Sequence, residues 1–361
     1  MQKVKVGIIG CGNISEAYLK NCVHYEQLEV VALADLNAEL AQSKAAAYGI
    51  GKVLTTEQLL ADPEIEVVLN LTIPQAHASI SLAALEAGKH VYSEKPLAVT
   101  VEDGQRIIAK AKERNLRVGV APDTVLGGGI QTCRKLIDDG IIGKPIAATG
   151  FMLSGGPESW HPNPGFLYAT GAGPMFDMGP YYLSAFITLL GPIERVTGSA
   201  VISYPQRMIT SQPRHGEMIE VETPTHINSV LDFASGATAT LITSFDIKGG
   251  SSLPNIELYG SEGTLIVPDP NTFAGPVKLR RAGSDQFEEI ALTHSHTEQS
   301  RGIGLLDMAI AIRENRPHRA SGELALQVLE VMHGVHIASA GERHYQVQHS
   351  CTRPEAMPEK L

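Results

Sequence analysis

Residues 4–15 read Val-Lys-Val-Gly-Ile-Ile-Gly-Cys-Gly-Asn-Ile-Ser. An apolar strand enters a glycine-rich turn that opens a helix, and few folds admit that order. Gly10 permits the tight turn, and Gly12 lets the backbone approach a pyrophosphate. The helix, expected from about residue 13 to residue 23, begins with Asn13 and Ile14. Its first N–H groups and positive dipole end then face the phosphates. Ile14, Tyr18 and Cys22 recur at four-residue spacing and share one face. Ser15 stands where a third glycine is usual, and it is small enough to keep the helix close to the strand. A purely structural glycine turn is the competing reading. Asp35 weighs against it: it ends the second apolar strand, a little over ~20 residues past the glycines, where an acid hydrogen-bonds the adenosine ribose diol. A helix-capping role is the plainer alternative for Asp35. Leu36, Asn37 and Ala38 follow, with no cation to hold a 2′-phosphate. NAD is therefore favoured, with NADP as the alternative cofactor.

The same alternation continues. Strands are expected at 28–34, 66–71, 90–93 and 116–121, with helices at 38–48, 75–87 and 100–114. Gly49 and Gly88 suit the left-handed position after a helix end. Thr55 and Gln58 fit a capping box for a short helix that ends near Asp62-Pro63. Near-continuous apolar strands separated by helices predict a doubly wound parallel sheet, covered on both faces. After about residue 123 the texture changes. A helix at 130–139 and a strand at 146–153 precede a loop at 154–174 that is dense in Gly and Pro, then a helix at 175–190. Alternating stretches at 195–204, 226–234, 237–246, 255–259 and 263–267 predict a mostly antiparallel sheet, with a hairpin at Ser235-Gly236. Helices at about 303–315 and 321–340 follow. The fold class is α/β: a Rossmann domain over 1–122, then an α+β substrate-binding and oligomerisation domain over 123–361.

Composition narrows the partners. With 39 acidic and 29 basic residues the chain carries a formal charge of −10. That balance argues against nucleic acid or an anionic membrane, both of which need clustered Lys and Arg. Cys11, Cys22, Cys133 and Cys351 form no CxxC pair and fit a reducing compartment. No apolar stretch approaches the ~20 residues of a membrane span. The opening Met-Gln-Lys-Val-Lys-Val is no signal peptide, so the expected location is the cytoplasm.

Two further segments lie at carboxyl ends of strands, where ligands bind in such sheets. They are Asn70-Leu71-Thr72-Ile73-Pro74-Gln75-Ala76-His77 and Ser93-Glu94-Lys95-Pro96-Leu97. Together with Glu86-Ala87-Gly88-Lys89-His90-Val91, the Thr72-x-Pro74-x-x-His77 and Glu94-Lys95-Pro96 patterns resemble the Gfo/Idh/MocA oxidoreductases. Later matches, Leu136-Ile137-Asp138-x-Gly140-x-Ile142-Gly143 and the stretch from Asn255 to Gly263, extend the resemblance over nearly the whole chain. It implies a sugar or polyol dehydrogenase, with a dimer or tetramer formed through the open sheet face. Lys95 would hydrogen-bond the substrate hydroxyl and help to move its proton. Glu94 and Pro96 would shape the loop beside the nicotinamide ribose. Thr72, Pro74 and His77 would line the nicotinamide half of the cofactor site, and Leu71 joins them as a cofactor-binding candidate. A surface Lys95 paired with Glu94, and a His77 that only caps the helix start, are the plainer readings.

The family's second motif is an Asp followed four residues later by a His. Here Asp177 is followed by Tyr181, so the histidine is replaced. The i, i+4 spacing puts both on one helix face. Alcohol oxidation needs a base, and a phenol serves near neutral pH only beside a cation. A Lys95–Tyr181 pair sharing the proton is preferred, with Asp177 orienting the sugar or holding Lys95. Lys95 as sole base is a second reading, and a packed Tyr181 with a helix-terminal Asp177 a third. Trp160 and His161, on the loop before this helix, suit a sugar: the indole offers a flat apolar face and the imidazole a hydrogen-bonding edge. His161 is also a candidate for the missing histidine's work.

His294 and His296 lack a third ligand, and no metal is expected. Arg313, Arg316 and Arg319 read as a solvated helix-end cluster. Asp123-Thr124 is a candidate edge of the substrate cleft. The leading function is hydride transfer between NAD(P) and a secondary alcohol of a sugar, sugar derivative or cyclic polyol. The alternatives are a glycoside hydrolase or lyase that works by transient sugar oxidation, and a non-enzymatic cofactor sensor, which the intact Lys95 disfavours.

Overall fold

The computed structural model describes residues 2–360. The first strands and helices are β1 (Val4–Ile9), α1 (Asn13–Cys22), β2 (Leu28–Ala34), α2 (Ala38–Tyr48), β3 (Lys52–Val53), α3 (Thr56–Ala61), β4 (Val67–Asn70), α4 (Pro74–Glu86), β5 (His90–Ser93), α5 (Val101–Arg114) and β6 (Val118–Val120). The strands form a parallel sheet in the order β3-β2-β1-β4-β5-β6. The order reverses between β1 and β4, so a crevice opens at their carboxyl ends. Thr55 caps α3 and Gln58 answers it, completing the expected capping box. Gly49 ends α2 at φ 69°. The two-residue edge strand β3 is absent from the sequence reading, being too short to carry a hydrophobic period.

The chain then forms α6 (Gly128–Asp138), β7 (Pro145–Leu153), α7 (Pro174–Leu190), β8 (Ile193–Val201), β9 (Gln206–Met208), β10 (Met218–Glu220), β11 (His226–Phe233), β12 (Thr238–Ser244), β13 (Ile256–Gly260), β14 (Gly263–Val267), β15 (Val277–Arg281) and β16 (Glu288–Ile290). Short 3-10 turns at Pro157–Ser159 and Pro164–Tyr168 punctuate the loop between β7 and α7. α8 (Ile303–Glu314), α9 (Gly322–Ala340) and β17 (Tyr345–Gln346) complete the elements. The large sheet runs β16-β15-β14-β13-β7-β12-β11-β8-β17. Its pairs are antiparallel except β7 with β12. Along β11 buried Ile227, Ser229, Leu231 and Phe233 alternate with outward Asn228, Val230 and Asp232, so one face is covered and the other open. β9 and β10 form a separate two-stranded arm.

The chain divides into two compact units, Met1–Gly127 with His296–Leu329, and Gly128–Ser295 with Glu330–Leu361. This differs from one cut between residues 122 and 123, because a late segment returns to complete the first unit. Buried Asp307 on α8 accepts hydrogen bonds from Arg316 Nη2 (2.9 Å), the Arg319 N–H (2.7 Å) and Arg319 Nη1. Arg313 forks onto both oxygens of Glu66 at 2.7 Å. These arginines are thus a structural clasp rather than a solvated cluster. A fork–fork guanidinium–carboxylate pair fixes orientation as well as distance.

Candidate active site

At the carboxyl end of β1 the Gly10 N–H donates to the Ala34 carbonyl (2.8 Å). Gly10 has φ +102°, and a Cβ there would lie 2.5 Å from the Leu71 carbonyl oxygen. Only glycine fits both restraints. The next N–H, of Cys11, donates to Asp35 Oδ2 (2.7 Å), and the Asn37 N–H donates to Oδ1 (2.8 Å). Asn37 caps α2 with its side chain, so Asp35 is not that helix's cap. A carboxylate held in this way keeps further lone pairs for a ribose diol.

Gly12 is the N-cap of α1, and no side chain caps that helix. A Cβ on Gly12 would meet nothing within 4 Å, so this backbone borders open space. Ser15 is buried and turns its Oγ back onto the Gly12 carbonyl (2.7 Å). That bond explains how a serine fits the third-glycine position. Glu16, in the first helical turn, is drawn away by Lys44 and by Tyr48 Oη (2.6 Å). An uncapped helix start, an open glycine and a placed carboxylate fit a dinucleotide pyrophosphate and ribose.

The two loops after β4 and β5 are tied to each other. The Thr72 N–H and hydroxyl both donate to Asn70 Oδ1, at 3.3 and 2.7 Å. His77, 1% exposed, faces the Pro96 carbonyl through Nδ1 (2.7 Å) and the Thr72 carbonyl through Nε2 (3.0 Å). Only the imidazolium could donate to both. Burial opposes that charge, and the net effect lowers the His77 pKa. His77 is therefore a strut between loops, deeper than a helix-start cap. Buried Glu94 accepts from Tyr18 Oη (2.8 Å) and from the Lys95 N–H (3.0 Å), and its own N–H donates to the Asn70 carbonyl (2.9 Å). The backbone that carries Lys95 is thus fixed on three sides. Leu71 is buried and Pro74 opens α4.

Asp123 is 0% exposed and does not edge a cleft. Its Oδ2 accepts from the Gly302 and Gly304 N–H groups (2.7 and 3.1 Å), holding the start of α8. No local sequence signal marks this bond, since its partners lie about 180 residues later. Burial pushes its pKa up to about 6, against the pull of Arg301 and the two N–H groups. Between about pH 4 and about 6 the folded chain retains a proton that the unfolded chain has lost, so stability falls as pH rises through that window. The Tm of Asp123→Asn relative to the parent is expected to rise from about pH 4 to about pH 7. A pH-independent difference in thermal melts would show that this carboxyl does not titrate there.

In the second unit Gly173 (φ +89°) caps α7, and the Asp177 N–H donates to its carbonyl (3.0 Å). Asp177 lies in the first turn and buried Tyr181 one turn later, on the same side of the helix. Trp160 is 69% exposed. Its ring meets His161 edge-on at 5.5 Å, and His161 meets Phe166 at 5.3 Å. The Asn163 N–H donates to His161 Nδ1 (3.0 Å), so the neutral ring carries its proton on Nε2. His294 is anchored to the Met357 carbonyl (3.1 Å) and Thr293 Oγ1 (2.8 Å), a packing role. Among the described residues no group of three His, Cys, Asp or Glu is placed to hold a metal ion.

Residues 4–121 match the oxidoreductase family with NAD-binding Rossmann fold, and residues 130–266 match the GFO/IDH/MocA C-terminal domain. A 1,5-anhydro-D-fructose reductase from Ensifer adhaerens is 30% identical over 285 residues, covering 76% of this chain and 80% of the relative. The chain belongs to the GFO/IDH/MocA oxidoreductase family. A levoglucosan dehydrogenase from Pseudarthrobacter phenanthrenivorans is 25% identical over 293 residues, 74% of either chain. The crystal structure of an NAD binding oxidoreductase from Klebsiella pneumoniae superposes with a TM-score of 0.83 at 24% identity, covering 96% of this chain and 99% of that one. As a GFO/IDH/MocA member, the protein uses its first unit as an NAD-binding Rossmann domain. Among the described residues no helix is long and apolar enough to cross a membrane.

Proposed function

We propose that this chain is an NAD-dependent dehydrogenase acting on a secondary alcohol of a sugar, sugar derivative or cyclic polyol. The observation that carries the proposal is Lys95, on a loop at the carboxyl end of β5 whose backbone is held by Glu94 and, through Pro96, by His77. Bound nicotinamide supplies the hydride acceptor or donor. Lys95 would hydrogen-bond the reacting hydroxyl and hold its proton. Asp177 and Tyr181 are assigned to the same step by their motif: the carboxylate orients the sugar, and the phenol shares the proton with Lys95. Trp160 and His161 are assigned to the sugar's apolar face and its hydroxyls. Gly10, Gly12, Asn13, Ile14 and Asp35 would bind the adenosine half of the cofactor, and Leu71, Thr72, Pro74, His77, Glu94 and Lys95 the nicotinamide half. The two named relatives act on sugars by their names, which supports the substrate class.

We also place the protein in the cytoplasm, as a homodimer or homotetramer paired through the open sheet face. Four buried cysteines that form no disulfide support a reducing compartment. A screen of sugars and polyols with NAD, followed by absorbance with NADP in parallel, tests the substrate class. Failure to oxidise any of them, with reduction of the matching ketoses also absent, would refute it. Asp35 should make the protein bind NADH about ten-fold or more tightly than NADPH, since a 2′-phosphate would face its carboxylate. Fluorescence titration measures this, and the reverse order would remove Asp35 from the ribose site.

A further inference from the structure

The loop that carries Trp160 is held from below by a buried ionic cluster. Arg207 on β9 is 4% exposed. Its Nη1 donates to Glu158 Oε1 (2.6 Å) and to the carbonyls of Phe245 (3.0 Å) and Gly155 (3.3 Å), while Nη2 donates to Asp246. Buried Tyr168 donates its hydroxyl to the second oxygen of Glu158, and its ring lies 5.2 Å from the guanidinium carbon. Thr225 Oγ1 donates to Asp246 (2.8 Å). The Glu158 carbonyl accepts from the N–H groups of Thr210 and Ser211 (2.9 and 3.0 Å). Ser211 Oγ donates to the His161 carbonyl (2.5 Å). Gly156, at φ +100°, sits where a Cβ would strike Glu158, Tyr168 and Arg207 together.

Such a cluster is a poor source of net stability, because desolvating the charges opposes their attraction, but it selects one geometry. Here the geometry selected is that of a loop whose rings stand out of the surface, Trp160 at 69% and Phe166 at 57% exposure. Exposed apolar rings with rigid supports are the form a preorganised binding surface takes. The edge-on ladder of Trp160, His161 and Phe166 offers one flat indole face and one imidazole Nε2–H. That pairing matches the C–H face and the hydroxyl rim of a pyranose or cyclitol ring.

We propose that Arg207, Glu158 and Tyr168 are positioning residues that hold the Trp160–His161–Phe166 ladder as a preformed carbohydrate surface. This rests on the sugar dehydrogenase reading for its ligand but not for its mechanics. Trp160 is the only tryptophan, so fluorescence reports on the loop directly. Tyr168→Phe, which removes one hydrogen bond and keeps the ring, and Arg207→Lys are compared with the parent as full chains. In both, Trp160 anisotropy should fall and acrylamide quenching should rise, while NADH affinity stays unchanged. With the sugar or polyol found by the screen, KM should rise roughly ten-fold in Tyr168→Phe and Trp160→Ala, with kcat within about two-fold. The parent's Trp160 emission should shift on saturation with that substrate.

Unchanged anisotropy in Tyr168→Phe would overturn the clamp. A loosened loop with unaltered KM, or a parent emission indifferent to substrate, would overturn the carbohydrate surface. Should Arg207→Lys fail to fold, Tyr168→Phe and the parent titration still decide. Loss of turnover in Lys95→Met beside a normal KM in Trp160→Ala would leave the dehydrogenase reading standing and this inference refuted. An empty screen would instead defeat both that reading and the carbohydrate assignment, leaving anisotropy to judge the clamp.

Discussion

Lys95→Met is expected to lower kcat/KM by about 10³-fold or more, since a positioned proton-transfer group contributes that much to a barrier, while NADH affinity falls by no more than about ten-fold, because Lys95 is one of many groups around the cofactor. Methionine keeps the length and flexibility of the lysine stem but has no ammonium. The substitution is clean because the loop is not held by that ammonium alone. The residue-95 N–H still donates to Glu94, Tyr18 still donates to Glu94, and His77 still faces the Pro96 carbonyl. Steady-state rates with the best substrate of the screen, together with NADH fluorescence titration, measure the two quantities. Turnover surviving within a few-fold would remove Lys95 from the chemistry. Parallel loss of NADH binding would make it a cofactor residue only.

A second large effect should separate Gly12 from Gly10. Gly12 has φ −67° and ψ −169°, ordinary values for alanine, and a Cβ there meets no protein atom within 4 Å. Gly12→Ala should therefore melt like the parent. Its methyl would stand where the pyrophosphate must approach the helix start, and NADH affinity should fall by roughly 100-fold. Gly10→Ala differs in kind. The residue sits at φ +102° with the Leu71 carbonyl 2.5 Å from the new methyl. Either strand β1 or the turn after β4 must move, so both Tm and NADH affinity should fall. Thermal melts beside titrations read both variants. A Gly12→Ala protein that binds NADH normally would mean that the dinucleotide does not lie over α1.

The elements that were legible in the sequence share a local cause. A hydrophobic period, a left-handed glycine or a capping pair lies within a few residues of what it specifies, as at Gly49 and at Thr55 with Gln58. The Rossmann strands and the Gly10–Gly12 turn were readable for that reason. What stayed hidden depends on partners far along the chain. Nothing near His77 signals that its two ring nitrogens face carbonyls, one of them on the next strand's loop. Asp123 reads as a cleft residue in sequence because its partners, Gly302 and Gly304, lie about 180 residues later. Arg313, Arg316 and Arg319 read as solvated in sequence because no local pattern marks Glu66 and Asp307 as their acceptors. The β9–β10 arm leaves no period in the sequence because its strands span three residues each. Arg207, for the same reason, carried no warning of the carboxylates around it. Of the candidate site, the residues that would touch ligand were named from motifs. The bonds by which His77, Glu94 and Arg207 hold them in place exist only in three dimensions.

The return of α8 to the first unit also bears on the order in which this protein matures on the ribosome. Strands β1 to β6 are translated early, yet Asp123 must wait for Gly302 and Gly304, and Glu66 for Arg313. The nucleotide-binding half therefore lacks part of its contacts until residues 296–329 have been made. The intervening sheet emerges before them, and both halves reach their final form only once the last helices have left the exit tunnel.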